Sequence, residues 1–322
     1  MTSSEQEIPA GFRSGFAALA GRPNVGKSTL LNYLIGEVIT IATPKPQTTR
    51  KRIRGIVNQA NSQIVLVDTP GLHLMPGDDR ARKSKFALNR YMVAEAKAAL
   101  SEVDLVVLLV EARGRGQRPE VDDEDRLVMD SLRRISCPRL LAINKVDVLD
   151  NKERLLPMID AYHETGLFAE IIPISAREGD GTEALLAAIE SRLPEGPPYF
   201  PQDMITDQPE RLLVAEFIRE QVLLHTDQEI PYRTAVEVEA FEEEPERDLV
   251  RIYATLFVER DSQKAILIGK QGRGIKAIGT AARQSIEALL GCKVFLDLRV
   301  KVKSGWTSSN LGLRSVGYDP RS

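Results

Sequence analysis

Residues 21–28 read Gly-Arg-Pro-Asn-Val-Gly-Lys-Ser, a G-x-x-x-x-G-K-S string set between an apolar run at 15–19 and a helical pattern at 28–35. A glycine-containing loop between a strand and a helix commits the chain to a phosphate cradle. Its glycines let the backbone turn its N–H groups inward, and the helix start adds a positive dipole end. Lys27 is the candidate point charge for β- and γ-phosphates, and the Ser28 hydroxyl the candidate ligand for Mg²⁺. Gly21, Asn24, Val25, Gly26 and Thr29 complete the candidate cofactor-binding loop.

The next 160 residues carry the rhythm such a loop requires. Apolar runs at 63–67, 105–110, 140–143 and 171–174 read as strands. Helical patterns lie between and after them, at 86–100, 122–134, 154–164 and 182–191. Alternating strands and helices predict an α/β fold with a largely parallel sheet. The strands are continuously apolar rather than alternating, as expected of a sheet covered on both faces.

Three further motifs sit at predicted strand ends. Asp68-Thr-Pro-Gly71 follows the strand at 63–67, 41 residues after Lys27. Asp68 can reach Mg²⁺, and the Gly71 N–H can sense a γ-phosphate. Asn144-Lys-Val-Asp147 ends the strand at 140–143. The Asp147 carboxylate can accept from N1–H and N2–H₂ of guanine, a donor pair adenine lacks, so the motif selects GTP over ATP. Asn144 and Lys145 belong to the same candidate site. Ser175-Ala176 would back the base with a main-chain N–H. Between the first two motifs, residues 43–50 (Thr-Pro-Lys-Pro-Gln-Thr-Thr-Arg) form a polar loop with two prolines. A hydroxyl there, Thr49 ahead of Thr48, can complete the Mg²⁺ shell only when γ-phosphate is present. This loop and the one after Gly71 are the predicted switch segments. Lys27, Thr49 and Gly71 are the candidate catalytic set, and Ser28, Thr49 and Asp68 the candidate metal ligands.

The bulk composition excludes other classes. A formal net charge of −3 is not that of a chain basic throughout. The balance is uneven, however, with ten Lys or Arg against three acids over 260–303, and seven acids against one Arg over 237–248. A basic block on an acidic chain is a candidate footprint for nucleic acid. Cys137 and Cys292 have neither metal-ligand spacing nor a disulfide framework, and read as two small buried apolar groups. The first dozen residues lack a signal peptide's basic and apolar regions, and the longest apolar run is far too short to span a bilayer. The expected location is the cytoplasm, with peripheral contact at the inner face of the cell membrane left open.

Residues 194–201 (Pro-Glu-Gly-Pro-Pro-Tyr-Phe-Pro) hold four prolines and a glycine, and cannot continue a helix or sit inside a sheet. The predicted organisation is a disordered tail at 1–12, a nucleotide domain at 13–193, a semi-rigid linker at 194–208 and a second domain at 209–322. That second domain shows a helix at 209–224, strands at 235–240 and 249–259, and a short apolar stretch at 265–268. Gly269-Lys-Gln-Gly272 follows, then a helix at 274–290 and an alternating strand at 293–302.

With these residues in hand, the chain resembles the Era family of translation-factor-related GTPases. All five motifs occur in order, and Gly-Arg-Pro-Asn-Val-Gly-Lys-Ser-Thr-Leu-Leu-Asn32 and Gln47-Thr-Thr-Arg50 are characteristic. Gly269-Lys-Gln-Gly272, Val300-Lys-Val-Lys-Ser-Gly-Trp306 and Leu313-Arg-Ser-Val-Gly-Tyr318 match the family's KH domain. The resemblance covers all but roughly the first dozen residues. Residues 307–310 lack acids expected there. It implies a P-loop GTPase domain with a mostly parallel sheet followed by a smaller α+β KH-type domain. It also implies GTP/GDP and Mg²⁺ as cofactors, binding near the 3′ end of 16S ribosomal RNA, and a role in small-subunit (30S) assembly. Apart from the resemblance, the oligomeric state is open, with monomer the default. In related GTPases an Asn equivalent to Asn24 holds K⁺ against the phosphates; stabilising the loop is the other reading. Ras-like switches orient water with a Gln after the Asp-x-x-Gly motif. Here that position is Leu72, so slow intrinsic hydrolysis is expected. His73 reads as a surface histidine.

A G-x-x-G loop opening a helix lets the backbone approach single-stranded nucleic acid and clamp about four nucleotides. Lys264, Gly269, Lys270, Gln271, Gly272, Arg273 and Lys276 are the candidate RNA-binding residues. Ile266, Ile268 and Ile275 are either groove wall or core, and Trp306 either stacks a base or pins the C-terminal tail. The competing function is a GTPase whose KH-like module docks a protein, at the membrane surface for example.

Overall fold

The computed structural model describes residues 9–71, 87–112 and 120–319. Its residues divide into two compact units.

The first unit is built on a six-stranded sheet. Its strands are β1 (Arg13–Gly21), β2 (Ile53–Asn58), β3 (Ser62–Asp68), β4 (Leu105–Glu111), β5 (Arg139–Asn144) and β6 (Glu170–Pro173), in the order β2-β3-β1-β4-β5-β6. All neighbours are parallel except β2, which runs antiparallel to β3. Its helices are α1 (Lys27–Ile35), α3 (Asp123–Leu132), α4 (Leu155–His163) and α5 (Thr182–Glu190), while α2 (Ala87–Ser101) belongs to the second unit up to Ala94 and to the first from Glu95. Leu105, Val106, Val107, Leu108, Leu109 and Val110 of β4 are each fully buried, so the strand is covered on both faces. Each such side chain removed from water contributes about 1.5–3 kcal/mol.

The proline segment does not stand free as a spacer. Pro194 and Pro197 carbonyls accept from the Ser14 amide (3.1 Å) and hydroxyl (2.6 Å). The buried Gln63 side chain accepts from the amides of Tyr199 (2.7 Å) and Phe200 (2.9 Å) and donates to the Phe200 carbonyl (2.8 Å). Tyr199 meets Phe16 edge-on at 4.9 Å. Without a free N–H, proline cannot extend the sheet, but its carbonyls can strap it to one.

The second unit holds α6 (Glu210–His225), a three-stranded sheet of β7 (Ala235–Glu244), β8 (Leu249–Val258) and β9 (Lys293–Val302), and helices α7 (Asp261–Ile268), α8 (Arg273–Leu290) and α9 (Asn310–Arg314). β7 is antiparallel and β9 parallel to β8. Val214, Phe217, Ile218, Ile252, Leu256, Ile278, Ala282 and Ile286 form its core. Along β9 burial alternates, with Val294 buried and Lys293, Phe295, Arg299 and Lys301 exposed. Trp306 is 1% exposed and stacks on Tyr318 (centroids 6.1 Å, 4° between planes), so it pins the tail and is not open to a base. Residues 265–268, the short apolar stretch before the glycine loop, are the second half of α7. Both cysteines are free and half-buried, short of the full burial expected. No described helix is long and apolar enough to cross a membrane.

Candidate nucleotide and nucleic-acid sites

The nucleotide motifs meet at one end of the first sheet. Gly26 has φ +102°, and the place a Cβ would take is filled by the Asn144 amide, so only glycine fits. Asn144 is the brace of the site: its Nδ2 donates to the Val25 carbonyl (2.7 Å) and its Oδ1 accepts from the Ala176 amide (2.8 Å). One side chain thus ties the phosphate loop to the loop after β6. The sequence placed Asn144 among base contacts; its partners lie 119 and 32 residues away, and spacing carries no sign of them. The Ala176 amide, expected to back the base, is already committed to Asn144.

Lys27 is 6% exposed and donates to the carbonyls of Gly21 (3.1 Å) and Arg22 (2.9 Å). Burial pushes its ammonium pKa down to about 8, and the nearby Asp68 opposes that fall. Ser28 Oγ donates to Asp68 Oδ2 at 2.7 Å, and Asp68 is fully buried at the end of β3. A serine hydroxyl and a carboxylate in contact are the hard oxygen donors that suit Mg²⁺. Arg22 points instead at the N-terminal end of α3, pairing with Asp125 at 2.7 Å and Glu124 at 3.1 Å. Gly71 lies against Pro23, where a Cβ would stand 2.9 Å from the Pro23 nitrogen. Asn24 adopts φ +64°, a conformation asparagine tolerates better than most residues.

At the end of β5, Lys145 (φ +66°) turns the chain and pairs with Glu111 at 3.0 Å. Asp147 follows half-buried, its Oδ1 accepting from Ser175 Oγ at 2.7 Å. That hydroxyl orients the carboxylate, a role the sequence reading had not given Ser175. Gly21, Val25, Gly26, Lys27, Ser28, Asp68, Asn144, Asp147, Ser175 and Ala176 are therefore held together. Thr49 and Thr48 lie in residues 38–50, which group with the second unit. Thr48 Oγ1 is spent within the loop, on Thr43 (2.8 Å) and the Lys45 carbonyl (2.6 Å). Leu72 and His73 lie outside the described residues.

The second site is a groove of about 680 Å³ between α8 and β9. Ile275, Lys276, Gly279 and Arg283 line the helix side, and Phe295, Leu296 and Leu298 the strand side. The Gly269-Lys-Gln-Gly272 loop joins α7 to α8. Gly269 has φ +69°, ψ 174°, a region open essentially to glycine alone. Lys270, Gln271, Arg273 and Lys276 are exposed, and Lys264 is half-buried. Ile266 is 59% exposed, so it is surface and not core.

Comparisons with known proteins identify both kinds of domain. Residues 16–145 match the family model described as 50S ribosome-binding GTPase, and residues 229–307 match a KH domain. The GTPase Era of Alkaliphilus metalliredigens is 49% identical over 96% of this chain and 99% of its own. That of Geobacter metallireducens is 50% identical over 95% and 98%. A point variant of Aquifex aeolicus Era bound to GDP·AlF4⁻ superposes with a TM-score of 0.87 at 36% identity, over 96% of this chain and 100% of that one. An Era in complex with MgGDPNP and nucleotides 1506–1542 of 16S ribosomal RNA gives 0.88 at 37% identity, over 96% and 99%. A P-loop GTPase unit followed by a KH unit, matched over nearly its whole length, makes this chain a member of the Era family of GTPases.

Proposed function

We propose that this GTPase is a nucleotide-controlled RNA switch that binds the 3′ end of 16S ribosomal RNA and assists small-subunit maturation. The observation that carries the reading is the glycine loop opening α8, with Lys270 and Arg273 exposed on and beside it and Lys276 lining the adjoining groove. The relative solved with 16S nucleotides 1506–1542 supports the choice of RNA. Lys264, Gly269, Lys270, Gln271, Gly272, Arg273 and Lys276 contact the RNA backbone. The protein acts as a cytoplasmic monomer.

In the nucleotide site, Gly21, Asn24, Val25, Gly26 and Thr29 shape the cradle. Ser28, Asp68 and Thr49 hold Mg²⁺, which supplies charge neutralisation at the phosphates when bound. Asp147 reads guanine, supported by Asn144, Lys145, Ser175 and Ala176. Gly71 senses the γ-phosphate, and Lys27 presents its ammonium to the phosphates. With protein groups alone around it, Lys27 loses its proton as pH rises through about 8. Bound polyphosphate favours the ammonium, so affinity is fullest below that pH and declines above it. Log affinity for GDP should fall by up to about one per pH unit above pH 8. A dissociation constant that stays flat between about pH 7 and 9 would count against the assignment.

Asn24 holds a monovalent cation against the phosphates. Replacing Na⁺ by K⁺ should raise the hydrolysis rate at least about tenfold, as removing one transition-state charge contact typically costs more than that. Equal rates in the two salts would reduce Asn24 to a loop-shaping residue.

The function is tested by binding a single strand from the 16S 3′ end to the full protein, with GDP and with GDPNP, across a salt series. Tighter binding with GDPNP is expected. Four cationic contacts would give a slope of log affinity against log salt of about −3. Absence of sequence-selective binding in either state would favour a protein-docking role for the KH unit.

A further inference from the structure

The segment 38–50 follows α1 of the nucleotide unit in sequence, yet it is built into the second unit. Ile41 is 1% exposed within the core formed by Val214, Phe217 and Ile218. The Ala42 amide donates to Glu220 Oε1 (3.3 Å), and Lys45 Nζ donates to the Thr226 carbonyl and to Asp227 (2.9 Å). The Thr48 carbonyl accepts from Arg219, itself ion-paired with Glu216.

The strongest hold is on Arg50, which is 0% exposed. Its Nη1 donates to the Thr234 carbonyl (2.8 Å) and the Tyr318 hydroxyl (3.1 Å). Its Nη2 donates to the carbonyls of Pro231 (3.0 Å) and Tyr232 (3.0 Å). A buried charge is costly unless it is hydrogen-bonded, and here both Nη groups are met while the buried Nε has no partner. Four acceptors spread around a planar fork suit a guanidinium and not a lysine ammonium. The seat is therefore specific for arginine.

From that seat, contacts run on to the RNA loop. Tyr318 stacks on Trp306. The adjoining Thr307 donates its amide (3.3 Å) and hydroxyl (2.6 Å) to Glu259 Oε1, whose other oxygen accepts from Arg233 (2.9 Å). The amides of Glu259 (3.0 Å) and Arg260 (3.2 Å) donate to Gln263 Oε1, capping α7. The far end of α7 is Gly269, the first glycine of the loop.

We propose that Arg50 is a positioning residue of the GTP switch, whose guanidinium, seated in the KH unit, couples the position of Thr49 to the state of the Gly269–Gly272 loop. The proposal rests on the RNA-switch reading above and adds the residue that carries the coupling. Thr49 precedes Arg50 directly, so their Cα atoms are held about 3.8 Å apart. Any displacement of Thr49 must therefore strain or shift its neighbour's seat, and tightening the seat must bias Thr49.

The test is the ratio of RNA dissociation constants with GDP and with GDPNP, measured on the full protein. Coupling of the usual size gives about a 5–150-fold ratio in the parent. In Arg50→Ala and Arg50→Lys the ratio should collapse to within about threefold of unity, while GDP affinity and RNA affinity in the GDP state stay near parent values. Tyr318→Phe keeps the ring stack and loses one acceptor, so its ratio should be intermediate. RNA must change GDPNP affinity by the same factor as GDPNP changes RNA affinity, which gives an independent readout. Should Arg50→Ala fail to fold, Arg50→Lys and Tyr318→Phe decide the matter. A parent ratio retained by folded variants overturns the role of Arg50 and leaves the RNA switch standing. A parent ratio of one overturns both.

Discussion

Replacing Asp147 by Asn should weaken GTP binding by about 10²–10⁴-fold and transfer preference to xanthosine triphosphate. The carboxylate is placed by three features: Lys145 in the left-handed region turns the chain, Ser175 Oγ holds Oδ1 at 2.7 Å, and Asn144 braces the loops beneath. Two hydrogen bonds to a charged acceptor are worth about 1.5–3 kcal/mol each, and about 1.4 kcal/mol is tenfold in affinity. An amide in the same place turns one acceptor into a donor. Guanine offers donors at both positions, so one bond is lost and a donor faces a donor. Xanthine carries a carbonyl at C2, which accepts from the new amide. Competition between the two triphosphates for the variant checks this. Continued preference for GTP would show that the base is read elsewhere.

Exchanging Gly269 and Gly272 for Asp should lower RNA affinity by about 100-fold or more while GTP hydrolysis in the absence of RNA persists. The two positions act differently. At Gly269 a Cβ would stand 2.8 Å from the Gly274 amide nitrogen, and the φ/ψ pair excludes other residues, so the loop must move. Such strain costs of order 1–3 kcal/mol. At Gly272, φ is +75°, a left-handed conformation that aspartate tolerates better than most residues, and a Cβ meets nothing within 4 Å, so an aspartate there adds modest backbone strain to its charge against phosphate. Gly272→Asp alone therefore separates repulsion from rearrangement. Most of its loss should vanish as salt is raised, whereas the strain part of the Gly269→Asp loss should persist. RNA binding untouched in the double variant would remove the loop from the interface.

The chemistry of the first unit was legible because its motifs are local. Gly21 to Ser28 and Asp68 to Gly71 each fall where a buried strand stops, and buried strands announce themselves by unbroken apolar runs. The fold class was legible for the same reason. β2 was not. Its sequence, Ile-Arg-Gly-Ile-Val-Asn, is diluted by Arg54 and Gly55, and it exists through pairing with β3 and a bond from the Ile56 amide to the Ile205 carbonyl (2.8 Å). Of α7 only the apolar second half could be delimited, because its first turn is polar. The place of the 43–50 loop was hidden most deeply. Its polarity and prolines read as exposed loop, but Arg50 finds all its partners 181 or more residues away. Long-range burial of a charge leaves no periodicity to read. The two readings of Trp306 parted on the same ground, since its partner Tyr318 comes after it in a tail with little regular structure.

The contrast between β4 and β9 bears on how freely relatives of this chain can drift. Every residue from Leu105 to Val110 is fully buried, so a charge introduced at any of the six meets a packed interior. In β9 roughly every second side chain faces outward, and substitution there meets water. Sequence variation among functional descendants should therefore pool at outward positions of β9 beyond the groove, such as Arg299 and Lys301, while β4 holds to a narrow apolar alphabet. Invariance in β4 would record packing, whereas invariance at an outward position such as Phe295 would call for a partner.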